Sequence, residues 1–230
     1  MTAQPSRITL QQLQHATYEV PLPFRLQLND QGLDCERLLR VVPGKRLVFL
    51  GRFVKELVII KLFVHPSRAK GHWSRELDGA VLLKEKHILT PAVVASGVAE
   101  EGIFVLVFRY INGGDLATLW KKGSNPNREL LASNMIPVLA QHHESGLTHH
   151  DLHYGNFLVA DDERIYTLDP EEVKAHSAPL KKLRRLKNLA LLLAQTFDLR
   201  KDIVFSLLNQ YAQVSAIKLN HHDSKTNREA

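Results

Sequence analysis

"LTHHDLHYGNFLV", residues 147–159, places three histidines, an aspartate and an asparagine ahead of a run of apolar residues. Three readings compete for it: a metal-binding histidine cluster, a solvated turn, or a catalytic loop in which only a few polar groups act. Zinc favours imidazole, and His142, His143, His149, His150 and His153 are available as ligands. Yet the helical pattern upstream turns His142 inward and His143 elsewhere. There is no H-x-H or H-E-x-x-H arrangement and no cysteine pair. A solvated turn explains the polar density, but it leaves "NFLV" and the later "YTLD" as unconnected buried strands. A catalytic loop connects them: one carboxylate faces an incoming hydroxyl, while an amide oxygen and a second carboxylate converge on a hard cation from two sides of a small hairpin.

Upstream, residues 34–64 read as strands: "CERLLRVV", then "PGK", "RLVFLGRFV", "KE" and "LVIIKLFV". Short β-rich runs between turn residues predict an antiparallel meander, with turns at Pro43-Gly44 and Lys55-Glu56. After Pro66 the period changes. Trp73, Leu77, Ala80 and Leu83 or Lys84 recur at helical spacing behind Ser67 as N-cap, and Gly71 and Gly79 weaken that helix. Thr90-Pro91 ends it, and "AVVASGVA" and "GIFVLVFRYI" follow as two more strands. Residues 1–33 show only "FRLQL" alternating, without chemistry.

The half containing the loop is mainly helical. "DLATLW" makes a short helix. Residues 128–144 make a longer one, with Leu131, Met135, Val138, Leu139 and His142 on one face and an end near Gly146. "RIYTLD" at 164–169 reads as a short strand, and helices fit 178–197 and 202–218. The expected class is therefore α+β. A β-rich lobe spans 1–111 (1–33 as an extension), a helical lobe spans 112–219, and a flexible tail takes 220–230. A cleft between the lobes is the expected ligand site.

Composition narrows the partners. The 230 residues, 44% hydrophobic, carry 30 Lys+Arg against 24 Asp+Glu, a formal +6 that favours anionic partners. Cys35 is the single cysteine, which excludes an intrachain disulfide and suits the cytoplasm. "MTAQPSRITLQQLQ" lacks the apolar core of a secretory signal, and no run approaches the ~18 apolar residues of a membrane span. The segment "KKLRRLK" alternates Lys181, Lys182, Arg184, Arg185 and Lys187 with Leu180, Leu183 and Leu186. It reads either as a core-facing leucine stripe with a solvated basic face, or as a surface for anionic lipid or acceptor phosphates. No nucleic-acid motif or aromatic platform accompanies it, so nucleic acid is not expected.

Element order brings in two further residues. His149, Asp151 two residues on, Asn156 five residues after that, an apolar strand and then Asp169 follow the protein-kinase-like catalytic loop. Lys61 on the third strand and Glu76 on the next helix stand where that plan has its phosphate-contacting lysine and its carboxylate partner. Taken singly, Lys61 reads as a strand-end lysine reaching to water, and Glu76 as a solvated helix residue.

With "RVVPGKRLVFLGRF", "VIIKLF", "HWSRELDGAVLLKEKHILTPAVVASG", "HHDLHYGNFLV", "YTLDPEEV" and "RLKNLALLLAQ", the chain resembles the kinase-like superfamily. Within it, the chain resembles the bacterial lipopolysaccharide core kinases, over about residues 34–200. The resemblance implies a two-lobed protein-kinase-like fold, ATP and Mg²⁺ as cofactors, and a heptose or Kdo hydroxyl as acceptor at the cytoplasmic face of the inner membrane. It also implies Asp151 as the catalytic aspartate, Asn156 and Asp169 as magnesium ligands, Lys61 as the phosphate lysine and Glu76 as its partner.

Two departures stand out. The first turn has one glycine, Gly44, where the family plan has a glycine-rich loop, and Lys45 adds a charge there. Asp169-Pro170-Glu171 replaces Asp-Phe-Gly, and proline removes a backbone donor and fixes φ, which excludes the phenylalanine-based switch. No Ala-Pro-Glu run follows, and the segment before the next helix is too short for a peptide platform. A small protein kinase and a pseudokinase that binds nucleotide or a partner without turnover are the alternatives.

Overall fold

The computed structural model describes residues 8–196 and 198–215. Its contacts divide into two compact units. One runs through Val81 and includes Pro91–Ile111; the other comprises Leu82–Thr90 and the chain from Asn112 on.

The first unit is built on a six-stranded antiparallel sheet. After a short helix α1 (Leu10–His15) come β1 (Phe24–Leu28), β2 (Gln31–Val42), β3 (Arg46–Phe53) and β4 (Glu56–Phe63). Helix α2 (Ala69–Glu85) follows, then β5 (Val93–Val98) and β6 (Phe104–Arg109). The strand order is β1-β2-β3-β4-β6-β5. Phe24–Leu28, where the sequence shows alternation without chemistry, is thus the edge strand of the sheet. One face buries Leu26, Leu33, Phe49, Ile60 and Val107 together with Leu13 of α1. The other packs Phe63, Leu106 and Phe108 against Trp73, Leu77 and Ala80 of α2.

Two local expectations need correction. The β3-β4 turn is centred on Val54-Lys55, both at positive φ, and Glu56 is already paired with Phe53. Ser67 does not cap α2: its own amide and that of Arg68 donate to the His65 ring at 3.3 and 3.1 Å, so an imidazole one turn earlier takes the capping role.

The second unit contains β7 (Gly113–Asp115), α3 (Leu116–Lys122), α4 (Asn125–Glu144), β8 (Leu147–His149), β9 (Phe157–Ala160), β10 (Ile165–Thr167), β11 (Val173–Ala175), α5 (Lys182–Leu193) and α6 (Lys201–Val214). Strands β9 and β10 form an antiparallel hairpin with β7 on its outer side, and β8 pairs with β11. Gly113 has φ +152, and a Cβ there would meet the Val159 carbonyl oxygen at 2.2 Å. Only glycine lets β7 approach β9 so closely. Pro137 lies inside α4 and leaves the Ser133 carbonyl without its helical donor. The Gln210 side chain of α6 supplies one at 3.1 Å, so a helix defect becomes an interhelical contact.

The expected helix at 178–197 begins later, at Lys182, and its inward face is Arg185, Asn188, Leu189 and Leu192, with Leu183 66% exposed. The leucine-stripe reading fails because Arg185 and Asn188 are inside for their hydrogen bonds: Arg185 pairs with Glu144 and donates to the Leu180 carbonyl at 2.7 Å. The expected fraying of 220–230, and the end of the 202–218 helix beyond residue 215, lie outside the described residues.

His143, expected to point away from the core, is fully buried, as is His142. The Asn188 carbonyl oxygen can only accept, so His143 Nε2 donates to it at 3.1 Å, while Nδ1 accepts from the Tyr211 hydroxyl at 2.6 Å. The neutral ring satisfies both contacts. Burial pushes the His143 pKa down to about 4 and that of His142 down to about 3. Below pH ~6.5 the unfolded chain takes up protons at both rings and the folded chain does not, so stability present at pH 7 is lost as pH falls toward 4. The linkage amounts to about 2 kcal/mol per histidine at pH 5. Urea unfolding at pH 7 and pH 5 is expected to show this loss, and His143→Gln is expected to remove roughly half of it. An unchanged pH slope in that variant would contradict the assignment.

Candidate active site

Each unit holds one cluster of the residues that the sequence singles out. In the first unit Lys61 lies mid-strand on β4, paired across to Val48 and Leu106. It is 9% exposed and Glu76 is 0% exposed, so neither is the solvated residue that each suggests alone. The Lys61 ammonium pairs with Glu76 Oε1 and lies 5.3 Å from the Phe108 ring centroid. Glu76 Oε2 is taken by the buried Arg46 guanidinium at 2.6 Å. Sequence reasoning misses Arg46. Its signal is strand parity: Lys61 is opposite Val48, and Arg46 lies two residues from Val48 on the same face. Gly44 (φ +64) and Lys45 sit in the turn just before Arg46, and the Val64 amide donates to the Lys45 carbonyl at 3.0 Å.

In the second unit the opening sequence folds as β8, a turn through Asp151, a single 3₁₀ turn at Tyr154–Asn156, and β9. The Asp151 carboxylate is exposed, with a side-chain accessibility of 67%, and Oδ2 lies 3.3 Å from His153 Nε2. Its position is set through the backbone: Asn156 Nδ2 donates to the Asp151 carbonyl at 2.7 Å. That bond orients the Asn156 amide and leaves Oδ1 buried with no partner. The Leu168 amide donates to the Asn156 carbonyl at 2.7 Å, which fixes the residue before Asp169 beside Asn156. Asp169 is half-buried in the left-handed region (φ 47, ψ 59), a conformation that aspartate adopts more readily than most residues and that recurs at functional sites.

The histidines divide by burial. His149 is fully buried and its Nε2 lies 3.5 Å from the Leu168 carbonyl. Burial lowers its pKa against the raising influence of that carbonyl and of Asp169 and Asp151. His142 Nε2 lies 3.0 Å from the Thr167 hydroxyl. Among the described residues no three His, Cys, Asp or Glu side chains converge as a metal site. Two braces of the loop escape sequence reasoning. Asn188 Nδ2 donates to the His149 carbonyl at 3.0 Å. Gln195 accepts from the Tyr154 amide at 2.8 Å and donates to the Leu152 carbonyl at 3.1 Å.

The segment after Asp169 is short and tied down. Val173 of β11 pairs with His149, the His150 amide donates to the Glu172 carbonyl at 3.0 Å, and the Leu180 amide donates to His143 at 2.9 Å.

Asn156, with its orphaned buried oxygen, and the neighbouring Asp169 could hold a hard cation, and the exposed Asp151 carboxylate before them could accept a hydrogen bond from a hydroxyl. A six-stranded antiparallel sheet with its lysine and helix glutamate, and a mainly helical unit with that hairpin, define a protein-kinase-like fold. Among solved structures the chain is similar to WbdD, crystallised with the kinase inhibitor LY294002. The TM-score is 0.59 at 16% identity, over 86% of this chain and 49% of WbdD, and the likeness is one of fold. The chain thus spans about half the length of WbdD. No family model matches the sequence, and no curated protein matches it.

Proposed function

We propose that the chain is an ATP- and magnesium-dependent phosphotransferase whose acceptor is a hydroxyl of a lipopolysaccharide core sugar, a heptose or Kdo. The observation that carries the phosphotransferase reading is Asn156 Oδ1, a buried oxygen without a donor, held next to the strand that presents Asp169. An unmade hydrogen bond in a protein interior is costly, and a hard cation would complete it. Asn156 and Asp169 would hold magnesium, which supplies neutralisation of phosphate charge when bound.

Asp151 orients the acceptor and takes the proton as its O–H bond breaks. The acceptor oxygen then bonds to the γ-phosphorus of ATP, and the bond from that phosphorus to the β,γ-bridging oxygen breaks to release ADP. Lys61, rigid on a central strand, would hold the α- and β-phosphates of the nucleotide. Such catalysis is mainly positioning and charge stabilisation. WbdD, of like fold, takes a kinase inhibitor, which agrees with a nucleotide in this role.

The sugar acceptor draws support from the short, pinned segment between Asp169 and α5, which offers no long platform for a peptide. α5 exposes Leu183 and Leu191 among Lys181, Arg184 and Lys187, a mixed apolar and basic surface suited to an anionic lipid headgroup region. No described helix is long and apolar enough to cross a membrane. A lipopolysaccharide core acceptor would place the chain peripherally at the cytoplasmic face of the inner membrane. Mass spectrometry of core lipopolysaccharide from a deletion strain is expected to show the loss of one phosphate, restored by the wild-type chain. An unchanged phosphate count would remove this acceptor.

A further inference from the structure

We propose that a cavity beside the catalytic loop is the acceptor subsite, and that it takes a sugar ring bearing an anionic group. The inference rests on the phosphotransferase reading and narrows it to a place. The cavity, about 640 Å³, lies wholly within the second unit and falls in the range of small-molecule sites. Trp120 and Tyr154 form an aromatic wall, with ring centroids 4.7 Å apart and planes tilted by 42°. Ala117, Gly155 and Ala194 leave open space in front of it. Both rings are mostly buried, so they offer the cavity a narrow apolar strip for the C–H face of a pyranose, while the ring hydroxyls need polar partners.

Those partners are present. Asp198 Oδ2 accepts from Trp120 Nε1 at 3.2 Å and from Arg128 at 2.8 Å. Its Oδ1 has no partner among the described residues and can accept a sugar hydroxyl. Lys121 is exposed on the same lining as Asp198 and makes no ion pair among the described residues, so a phosphate or carboxylate on the sugar could serve as its counter-charge. His153 belongs to the same wall and lies 3.3 Å from Asp151 Oδ2. Asp151 itself does not line the cavity, so a ring there is linked to the carboxylate proposed to take the proton through one side chain, His153.

The test uses the full chain and deacylated lipopolysaccharide core oligosaccharide as the probe. Calorimetric titration compares wild type with Ala194→Trp, which fills the cavity from an exposed helix end, and with Lys121→Ala. Kd for the oligosaccharide is expected to rise at least tenfold in Ala194→Trp and severalfold in Lys121→Ala, with Kd for a non-hydrolysable ATP analogue within twofold. Thermal melting verifies that both variants fold. Should the Ala194→Trp chain not fold, Ala117→Leu fills the same cavity and is read in the same way. Oligosaccharide bound as tightly by the variants as by wild type, or not bound by wild type at all, would overturn the subsite. Binding that depends on the cavity without any phosphoryl transfer would keep the sugar site and remove the kinase reading. Transfer to sugar that is indifferent to Ala194→Trp would do the reverse.

Discussion

Replacing Asp151 with asparagine is expected to lower kcat for transfer to the core sugar by about 10²- to 10⁴-fold, the contribution of a positioned general base. Nucleotide affinity and the melting temperature should hardly change. The carboxylate is two-thirds exposed and among the described residues its ion pair is with His153, itself partly exposed. Such surface pairs contribute about 0–1 kcal/mol to stability. The hydrogen bond that shapes the loop runs from Asn156 to the Asp151 backbone carbonyl, which the substitution leaves in place. A loss of turnover without a loss of stability is therefore the signature of this residue. Radiolabelled phosphate transfer and thermal melting measured on the same preparations decide it. Equal, measurable transfer by variant and wild type would remove Asp151 as the base, and no transfer by a wild type that binds nucleotide would assign the chain to nucleotide or partner binding without turnover. Label appearing in protein in place of sugar would move the acceptor class.

The local geometry of residues 147–159 is legible in the sequence because its contacts are tied to spacing along one continuous stretch. The single turn between Asp151 and Asn156 allows an amide to bond a carbonyl five residues back, while Asn188 and Gln195 brace the loop from distant positions. Lys61 and Glu76 are legible through element order, since a strand lysine and a helix glutamate mean little until the loop downstream is recognised. Placing the β3-β4 turn one residue late does no damage there. Both versions are two-residue hairpins, and a register shift of two keeps every side chain on its own face.

Hydrophobic periodicity fails where polar residues are buried for their hydrogen bonds. Arg185 and Asn188 occupy inward positions of α5, one pairing with Glu144, the other joining His143 to the His149 carbonyl. A pattern count assigns those positions to solvent and turns the leucines inward in their place. Arg46 is missed for the same reason, because nothing local marks an arginine after a turn as buried. Gln195 is the hardest to find, since its partners, Tyr154 and Leu152, lie some forty positions away in the chain.

Arg46 makes Glu76→Gln the substitution with the largest expected effect on stability. Glu76 is fully buried and gives one carboxylate oxygen to each of two buried cations. Removing one partner of a buried ion pair destabilises by about 3–5 kcal/mol, because the remaining charge stays out of water without compensation. Here glutamine would leave Lys61 and Arg46 on the same apolar face without their shared carboxylate. Both cations lose the carboxylate they share, and a loss within that range is expected. Lys61→Met should cost less, since Arg46 and Glu76 remain a balanced pair, while phosphoryl transfer falls with the loss of the phosphate-contacting ammonium.

The double variant Glu76→Gln with Arg46→Met should recover part of the stability lost in Glu76→Gln, because it leaves one buried cation where the single variant leaves two. Total stabilities of folded domains are about 5–15 kcal/mol, so a loss of this size is a large fraction of the whole and moves a urea midpoint visibly. Urea unfolding of the four proteins at pH 7 checks the ordering: wild type, then Lys61→Met, then the double variant, with Glu76→Gln least stable. A Glu76→Gln midpoint within about 1 kcal/mol of wild type, or a double variant less stable than Glu76→Gln, would mean that the carboxylate does not hold the two cations together.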